Sequence, residues 1–275
     1  MIYSIVEQTI VVLGVTLQYV NVLYVTILCL GAGVIAAIIL PRLGYEWCAL
    51  RRVPAMDVMD EAVRICAEKG RPFFQSAGSS SFSAAGGGIQ FVESIVSLGR
   101  YLTKQCANLG VRFISAVMDP QLQLLFIDFA RQGYLEAGRP ELFNARDIKY
   151  VVSGVGQSIM ENVDTIRMNK PAAFVGIGHF GSGTPVPIFE EAVTQGAFIV
   201  GSSYWPDELA QAAMASDYTL LTAEQTIIGA YIDNDPEKMA VFIGEDVAKL
   251  ILIAIAVIIG IAWIAGTKLI PQTMH

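Results

Sequence analysis

Residues 172–187 read AAFVGIGHFGSGTPVP. The first six, Ala172–Ile177, are continuously apolar and favour a strand that is buried on both faces. The rest is a glycine-rich loop, and its prolines delay the next helix to Ile188. Because strands buried on both faces need helices to cover them, this stretch favours a parallel α/β sheet.

The same alternation of apolar strands and amphipathic helices continues on both sides of this stretch. The predicted strands are Pro72–Ser76, Val111–Val117, Ile148–Ser153, Ala172–Ile177, Ala197–Val200 and Tyr218–Leu221. Asp119-Pro120 predicts the start of a helix, with Asp119 as its cap. The pattern predicts an α/β domain with a Rossmann-like, doubly wound, mostly parallel sheet of about six strands.

Glycine and serine concentrate in four predicted loops, which form a rim at the carboxyl ends of the strands, where such sheets bind ligands. These loops are Ser76–Gly88, Ser153–Ser158, Gly176–Pro187 and Gly201–Pro206. The candidate ligand-binding residues are Ser79, Ser80, Ser81, Gly86, Gly87, Gly88, Gly154, Gly156, Gly178, His179, Gly181 and Gly183. Small residues let a backbone approach a ligand and let its amides converge on an anion. The alternative is that tight turns and close helix–sheet contacts require the same glycines.

Gly176, Gly178 and Gly181 match the G-x-G-x-x-G pattern of dinucleotide-binding proteins. That fingerprint needs a helix by the third glycine, whereas Pro185 and Pro187 delay the helix here, and the next strand does not end in an acidic residue. The sequence therefore identifies no cofactor, and it offers no metal-binding spacing.

His179 is the one internal histidine, because His275 is the last residue. A Ser–His or Cys–His mechanism would have to use His179, although the neighbouring serines lie in no G-x-S-x-G elbow. Bracing of the loop is the alternative role. The acid pairs Glu190-Glu191 and Asp207-Glu208 fall in the first turns of predicted helices, where acids offset the helix dipole. The four cysteines show no CxxC, so buried or membrane-facing thiols are expected.

The chain is acidic, with a net charge of −7. Residues 53–247 hold 13 Lys/Arg against 23 Asp/Glu, which opposes binding to nucleic acid or to anionic lipid headgroups. No Lys or Arg lies between Lys170 and Lys238, while nine acids do. A polyphosphate at the later loops would therefore depend on backbone amides or on a metal.

Two apolar segments bracket this domain. Residues 22–40 and 250–267 contain no charge, and each is long enough as a helix to cover most of a ~30 Å hydrocarbon layer. Arg42, Arg51 and Arg52 follow the first segment and predict that the central domain is cytoplasmic, with both termini outside. The expected partners are thus the lipid bilayer and, possible at the loops, a small anionic ligand.

The sequence gives these bounds for a two-pass protein of the cell membrane. The predicted parts are an apolar or interfacial segment 1–21, a transmembrane helix 22–41, a basic juxtamembrane segment 42–53, the α/β domain 54–247, a transmembrane helix 248–270 and a tail 271–275. Apolar character starts at Thr9, so we expect either one long tilted helix or a first half that lies along the interface. Two crossings of the membrane would need a turn, and the sequence has no Pro or Gly pair before Gly31 that would form one. One crossing is therefore expected.

Small residues spaced four apart occur in both apolar segments, as in Gly33/Ala37, Ala256/Gly260 and Ala262/Gly266. Such pairs let helices approach closely in a membrane. They favour helix–helix packing and a homo-oligomer.

Three longer strings carry a resemblance to a known family. They are Gln75–Gly88, Gly178–Pro187 and Thr222–Gly229. Through them, residues from about Ala55 to Ile261 resemble an uncharacterised family of prokaryotic membrane proteins defined by a domain of unknown function. The resemblance implies a bacterial or archaeal membrane protein with a cytoplasmic domain, and it implies no reaction.

Three functional hypotheses remain open from the sequence. The first is a membrane-anchored structural component that self-associates into a larger assembly. The second is a tethered binding or sensory domain whose loops hold a nucleotide or another anionic metabolite. The third is a hydrolase or transferase that uses His179 with a serine of the loops.

Overall fold

The computed structural model describes residues 9–12, 15–18, 53–82, 88–151, 155–180 and 185–233, together with helical positions 31, 35, 39, 249–251, 253, 254 and 257. By its contacts the chain divides into two compact units, residues 52–234 and residues 1–51 with 235–275. Most of the two predicted transmembrane segments, with their small-residue pairs and the three flanking arginines, lies outside the described residues. Among the described residues, no helix is both long and apolar enough to cross a bilayer.

Near the N-terminus the structure differs from the sequence-based expectation of a helix. Strands β1 (Thr9–Val12) and β2 (Val15–Gln18) form an antiparallel pair in which Thr9 lies opposite Gln18. β-branched residues make up all of β1 and half of β2, and they favour extended backbone over helix.

The larger unit alternates helices and strands along the chain. Its helices are α1 (Pro54–Asp57), α2 (Met59–Lys69), α3 (Gly88–Leu109), α4 (Pro120–Glu136), α5 (Val155–Asn169), α6 (Val186–Thr194), α7 (Pro206–Ala215) and α8 (Thr222–Asp233). Its strands are β3 (Phe73–Gly78), β4 (Phe113–Val117), β5 (Ile148–Tyr150), β6 (Ala173–His179), β7 (Phe198–Ser203) and β8 (Tyr218–Leu220). Short 3₁₀ turns, Pro140–Leu142 and Ala145–Asp147, lead into β5.

The six strands of the larger unit form one sheet in the order β5-β4-β3-β6-β7-β8, and every neighbouring pair is parallel. The chain builds outward from β3 to β5, crosses back to β6 beside β3, and then builds outward in the other direction. This is the doubly wound order with its switch point between β3 and β6. The predicted α/β fold with a mostly parallel sheet is therefore confirmed.

Both faces of the sheet are buried, because alternate side chains of each strand enter different cores. Phe73 belongs to the core under α2, α3 and α4, where its ring stacks on Phe113 at 6.0 Å. Phe74 belongs to the core under α5, α6 and α7, where it stacks on Phe174 at 5.5 Å. Strands that lie between two layers of helices read as continuously apolar, and this explains why the sequence revealed them.

The caps of the helices follow ordinary local chemistry. The Asp119 carboxylate Oδ1 accepts hydrogen bonds from the backbone N–H groups of Gln121 (2.7 Å) and Leu122 (3.2 Å), as the sequence predicted for the start of α4. At the other end of a helix, Gly70 closes α2 in the left-handed conformation, with φ 61°.

Arg71 joins three strands at the amino edge of the sheet. Its Nε donates to the carbonyl oxygen of Lys170 (2.5 Å), and its Nη2 donates to those of Pro171 (2.9 Å) and Gln195 (2.8 Å). Arg71 precedes β3, Lys170 and Pro171 precede β6, and Gln195 precedes β7. One guanidinium at the start of β3 thus satisfies main-chain carbonyls at the starts of the two neighbouring strands on one side.

Candidate functional site

The switch point places the end of β3 against the end of β6. Gly78 pairs with His179 there, after an irregularity in the register that follows Ser76. Gly78 has φ +56° and Gly178 has φ +140°. A Cβ on Gly78 would overlap the carbonyl oxygen of His179, and a Cβ on Gly178 would overlap the Ser80 hydroxyl and the Ala77 carbonyl. These two glycines are therefore required by the close approach of the strands.

Ser79 and Ser80 fix the main chain of His179. The Ser79 hydroxyl donates to the His179 carbonyl oxygen at 2.9 Å, and the Ser79 backbone N–H donates to the same oxygen. The Ser80 hydroxyl accepts from the His179 backbone N–H at 3.1 Å. Both serines are buried. Their hydroxyls thus bond to the backbone of His179, which is a different arrangement from the serine–imidazole pair considered from the sequence.

The imidazole of His179 contacts Glu208, which lies in the first turn of α7. Nδ1 of His179 lies 3.2 Å from Oε2 and 3.1 Å from Oε1 of this carboxylate. Oε2 also accepts hydrogen bonds from the Ser203 hydroxyl (2.6 Å) and from the Phe180 backbone N–H (3.0 Å). The Glu208 side chain has no solvent exposure, and that of His179 is 15% exposed.

The contacts of Glu208 keep its carboxylate ionised. Burial by itself raises the pKa of Glu208, but the hydrogen bonds from His179, the Phe180 N–H and Ser203 outweigh burial, and the net pKa is lowered. Because an ionised carboxylate only accepts hydrogen bonds, Nδ1 of His179 carries a proton. In the neutral ring, Nε2 is then the nitrogen that accepts a proton or a hydrogen bond.

Aromatic rings surround this pair. The His179 ring centroid lies 5.2 Å from that of Tyr204 and 6.2 Å from that of Trp205, and these two rings lie 5.4 Å apart. Phe91 of α3 packs on Tyr204 at 5.1 Å. Burial raises the pKa of Tyr204, a hydrogen bond with Trp205 opposes this, and the charge of Glu208 adds to it. The phenol therefore stays protonated at neutral pH.

The residues that the sequence singled out divide into three groups. Ser79, Ser80, Gly178 and His179 meet at the switch point, and Ser81 follows them directly. Gly88 begins α3, and Gly156 lies in the first turn of α5, where a Cβ would meet no atom within 4 Å. The remaining candidates lie outside the described residues: Gly86, Gly87, Gly154, Gly181 and Gly183.

Glu208 is the important residue that the sequence did not reveal. The Asp207-Glu208 pair was interpreted as compensation of the helix dipole, and only the exposed Asp207 fits that role. Glu208 is directed inward to the ends of β6 and β7 instead. The sequence did mark the loop Gly201–Pro206 as part of the rim, and that loop carries Ser203, Tyr204 and Trp205.

The described cysteines and possible metal ligands offer no second candidate site. Cys66 and Cys106 are buried free thiols, as expected for inert cysteines, and burial raises the pKa of Cys66 to about 12. Within the described part of the chain, no three His, Cys, Asp or Glu side chains come together in a way that could hold a metal ion. Among the side chains of the described residues, the His179–Glu208 pair is therefore the best candidate for acid–base chemistry or ligand binding.

These features define a doubly wound α/β domain with a carboxylate–imidazole pair at its topological switch point. The chain belongs to the family defined by a domain of unknown function, DUF6754, whose model matches residues 14–274. The resemblance noted in the sequence is thus confirmed at the level of the family. Neither the curated proteins nor the solved structures include a match to the chain.

Proposed function

We infer that this protein is a membrane-tethered domain that binds a small ligand at the carboxyl edge of its sheet, with His179 as the residue that contacts the ligand. The observation that carries this proposal is the fully buried Glu208 carboxylate, which holds the imidazole of His179 at the switch point. Open α/β sheets bind ligands in the crevice at this position.

The energetic cost of Glu208 supports a functional role. Burying a carboxylate costs several kcal/mol, and Glu208 stays ionised only because three hydrogen-bond partners offset that cost. A neutral side chain would be enough to accept hydrogen bonds from Ser203 and from the Phe180 N–H. A charge is needed when the third partner, the imidazole, must be held in one tautomer or must accept a proton. The pair is thus suited to distinguishing ligands by their protonation state or by the hydrogen-bonding groups that they present to His179.

The membrane tether rests on the sequence. Uncharged segments 22–40 and 250–267 bracket the domain, and Arg42, Arg51 and Arg52 favour a cytoplasmic location for it. Extraction of cell membranes with alkaline carbonate tests the tether, because a two-pass protein stays in the pellet. Release of the full chain into the supernatant would contradict it.

Thermal unfolding of the full chain in mild detergent tests ligand binding. A panel of metabolites, with and without Mg²⁺, is expected to contain compounds that raise the Tm by about 5 °C or more near saturation. The variant His179→Ala should lose this shift. The matched control is His275→Ala, which removes the other histidine and should keep it. An unchanged Tm across the panel, or an equal shift in His179→Ala, would contradict the proposal.

Proton transfer is a second candidate function, and the geometry of the same pair supports it. A carboxylate on Nδ1 is the arrangement that orients a histidine as a general base. Because Ser79 and Ser80 bond to the main chain of His179, the group that His179 would activate is water or a group of the substrate. Any activity found should fall at least about a hundredfold in His179→Ala.

Self-association remains a prediction from the small-residue pairs of the apolar segments. Mass measurement in mild detergent tests it, and a monomer at working concentration would contradict it.

A further inference from the structure

Tyr204 and Trp205 form an aromatic shelf at the carboxyl end of β7, beside His179. Their ring centroids lie 5.4 Å apart, and each lies near the imidazole, at 5.2 Å and 6.2 Å respectively. Phe91 supports the shelf from α3, with its centroid 5.1 Å from that of Tyr204. Phe91 is buried, whereas Trp205 is 46% exposed. This series of tilted ring contacts therefore begins inside the domain and ends at an accessible indole.

The backbone holds Trp205 in place. Its N–H donates to the Ser203 hydroxyl at 3.3 Å, and its carbonyl oxygen accepts the first hydrogen bond of α7 from Leu209 at 2.9 Å. Pro206 follows directly and restricts the chain further. The Ser203 hydroxyl also donates to Glu208, so the shelf and the His179–Glu208 pair share one support. Because the main chain of Trp205 is already ordered, binding of a ligand ring needs to order less of the protein.

The charges near the shelf disfavour an anionic ligand. The ionised Glu208 carboxylate contacts His179, whose ring lies beside the shelf. The sequence has no Lys or Arg between Lys170 and Lys238. The expectation of an anion depended on backbone amides of the glycine-rich loops. The Phe180 N–H, which follows His179 directly, is already bonded to Glu208. An uncharged ring meets no such electrostatic penalty.

We propose that the Tyr204–Trp205 shelf binds an uncharged, planar, nitrogen-containing aromatic ring, such as a free nucleobase or the base of a nucleoside, with His179 at its polar edge. This deepens the proposed function and rests on it, since His179 is the polar contact of the same site. Every nucleobase offers a face for stacking, and Nε2 of the neutral imidazole is an acceptor for an N–H group on the edge of the base, since Nδ1 donates to Glu208.

The experiment measures equilibrium binding of adenosine, uridine and adenine to the full chain in mild detergent, by calorimetry. AMP and tetramethylammonium are the anionic and cationic comparisons. We expect saturable binding of at least one of the uncharged compounds, with AMP binding more weakly than adenosine. Trp205→Ala should weaken binding about 10- to 100-fold, and Trp205→Phe should bind within about fivefold of wild type, because stacking survives in phenylalanine.

Two controls sharpen this measurement. Tyr150→Ala removes another exposed aromatic residue at a carboxyl strand end, on the far strand β5, and should bind like wild type. The double variant Trp47→Phe/Trp263→Phe leaves Trp205 as the sole tryptophan. Its fluorescence should then change saturably with the same uncharged ligand. Calorimetry of the single variants decides the question if the double variant does not fold.

The possible outcomes separate this inference from the proposed function. Tighter binding of AMP than of adenosine, preferential binding of tetramethylammonium, or equal binding by Trp205→Ala would overturn the aromatic-ring proposal. A panel ligand that needs His179 but not Trp205 would also overturn it, while the proposed function would stand. If none of these compounds binds the full chain at millimolar concentration, the aromatic-ring proposal is overturned, and if the metabolite panel also leaves the Tm unchanged, the proposed function is overturned with it.

Discussion

The two edges of the sheet each carry one charged side chain that ties neighbouring strands together. At the amino edge, Arg71 donates to the carbonyl oxygens of Lys170, Pro171 and Gln195. At the carboxyl edge, Glu208 accepts from a backbone N–H, from the Ser203 hydroxyl and from the His179 imidazole. One edge thus pairs a cation with carbonyls, and the other pairs an anion with donors.

The partners of the two charges show which edge is adapted to function. Arg71 donates its hydrogen bonds to main-chain carbonyls, which neither titrate nor move independently, so its role is to hold strands. Glu208 contacts one side chain, the His179 imidazole, that can change its protonation state. Arg71 is also half-buried, whereas Glu208 has no exposure, so removing the charge from water costs more free energy at the carboxyl edge.

Left-handed glycines on both edges allow the largest test of this comparison. Gly70 at the amino edge has φ +61° and open space where a Cβ would go, while Gly78 at the carboxyl edge has φ +56° and would clash with His179. Gly70→Ala should lower the free energy of unfolding by about 1 kcal/mol, from backbone strain alone. Gly78→Ala should lower it by about 4 kcal/mol, because overlap with backbone adds to the same strain.

Chemical denaturation of the two variants measures that difference. The pair is matched in residue type and φ, so the excess in Gly78→Ala reports the close approach of β3 to β6. Equal losses in the two variants would show that the strand ends are not packed as described. Gly156→Ala, which has open space within a helix, should be neutral or slightly stabilising.

Glu208 gives the next largest effect, and this effect depends on pH. Glu208→Ala should lower the free energy of unfolding by about 3 kcal/mol at pH 7, because Ser203 and the Phe180 N–H lose their buried partner. The folded pKa of Glu208 is lowered, so its stabilisation is complete above the ordinary value of 4.5 and is lost as pH falls through the folded pKa. The gap between wild type and variant should therefore narrow below pH 4.5.

Asp207→Ala is the matched control for this prediction. Asp207 is the adjacent acid in the same helical turn, but it is exposed, and its loss should cost about 0.5 kcal/mol or less. Denaturation curves at pH 7, 5, 4 and 3.5 provide the measurement. A gap for Glu208→Ala that stays constant down to pH 3.5 would contradict the assignment of an ionised, hydrogen-bonded carboxylate.

The fold was largely predictable because its strongest signals are local. Strands that lie between two helical layers are continuously apolar, as in Ala173–Ile177 of β6, and caps such as Asp119 require only neighbouring residues. The N-terminal hairpin at Thr9–Gln18 was missed because apolar β-branched residues suit both a strand and a membrane-associated helix. The pairing of β1 with β2 decides between strand and helix in that segment, and the pattern of residue types does not reveal this pairing.

The candidate site was predictable in position but not in chemistry. The glycine- and serine-rich loops marked the rim, and His179 was singled out because it is the one internal histidine. Asp207 and Glu208, in contrast, are equivalent as sequence, since both are acids in the first turn of a helix. The rotation of α7 against β6 and β7 decides which one is buried, and tertiary packing sets that rotation.

Arg71 gives the smallest of these effects and completes the comparison. Arg71→Ala should lower the free energy of unfolding by about 2 kcal/mol, because three carbonyls lose a charged donor that is partly exposed to solvent. Arg71→Lys should recover less than half of this loss, since an ammonium cannot reproduce the planar fork of donors. Lys69→Ala, which removes a single exposed hydrogen bond at the same edge, should stay within about 0.5 kcal/mol of wild type.

The decisive readout for Arg71 is ligand binding, measured beside stability. If the amino edge only holds strands, Arg71→Ala should keep the full ligand-induced rise in Tm from its own lower baseline, while Glu208→Ala should lose that rise. This holds because the two variants destabilise the same sheet by similar amounts but only one of them changes the surroundings of His179. A ligand shift lost equally in both variants would mean that the site depends on overall rigidity of the sheet, and the functional distinction between its two edges would then be wrong.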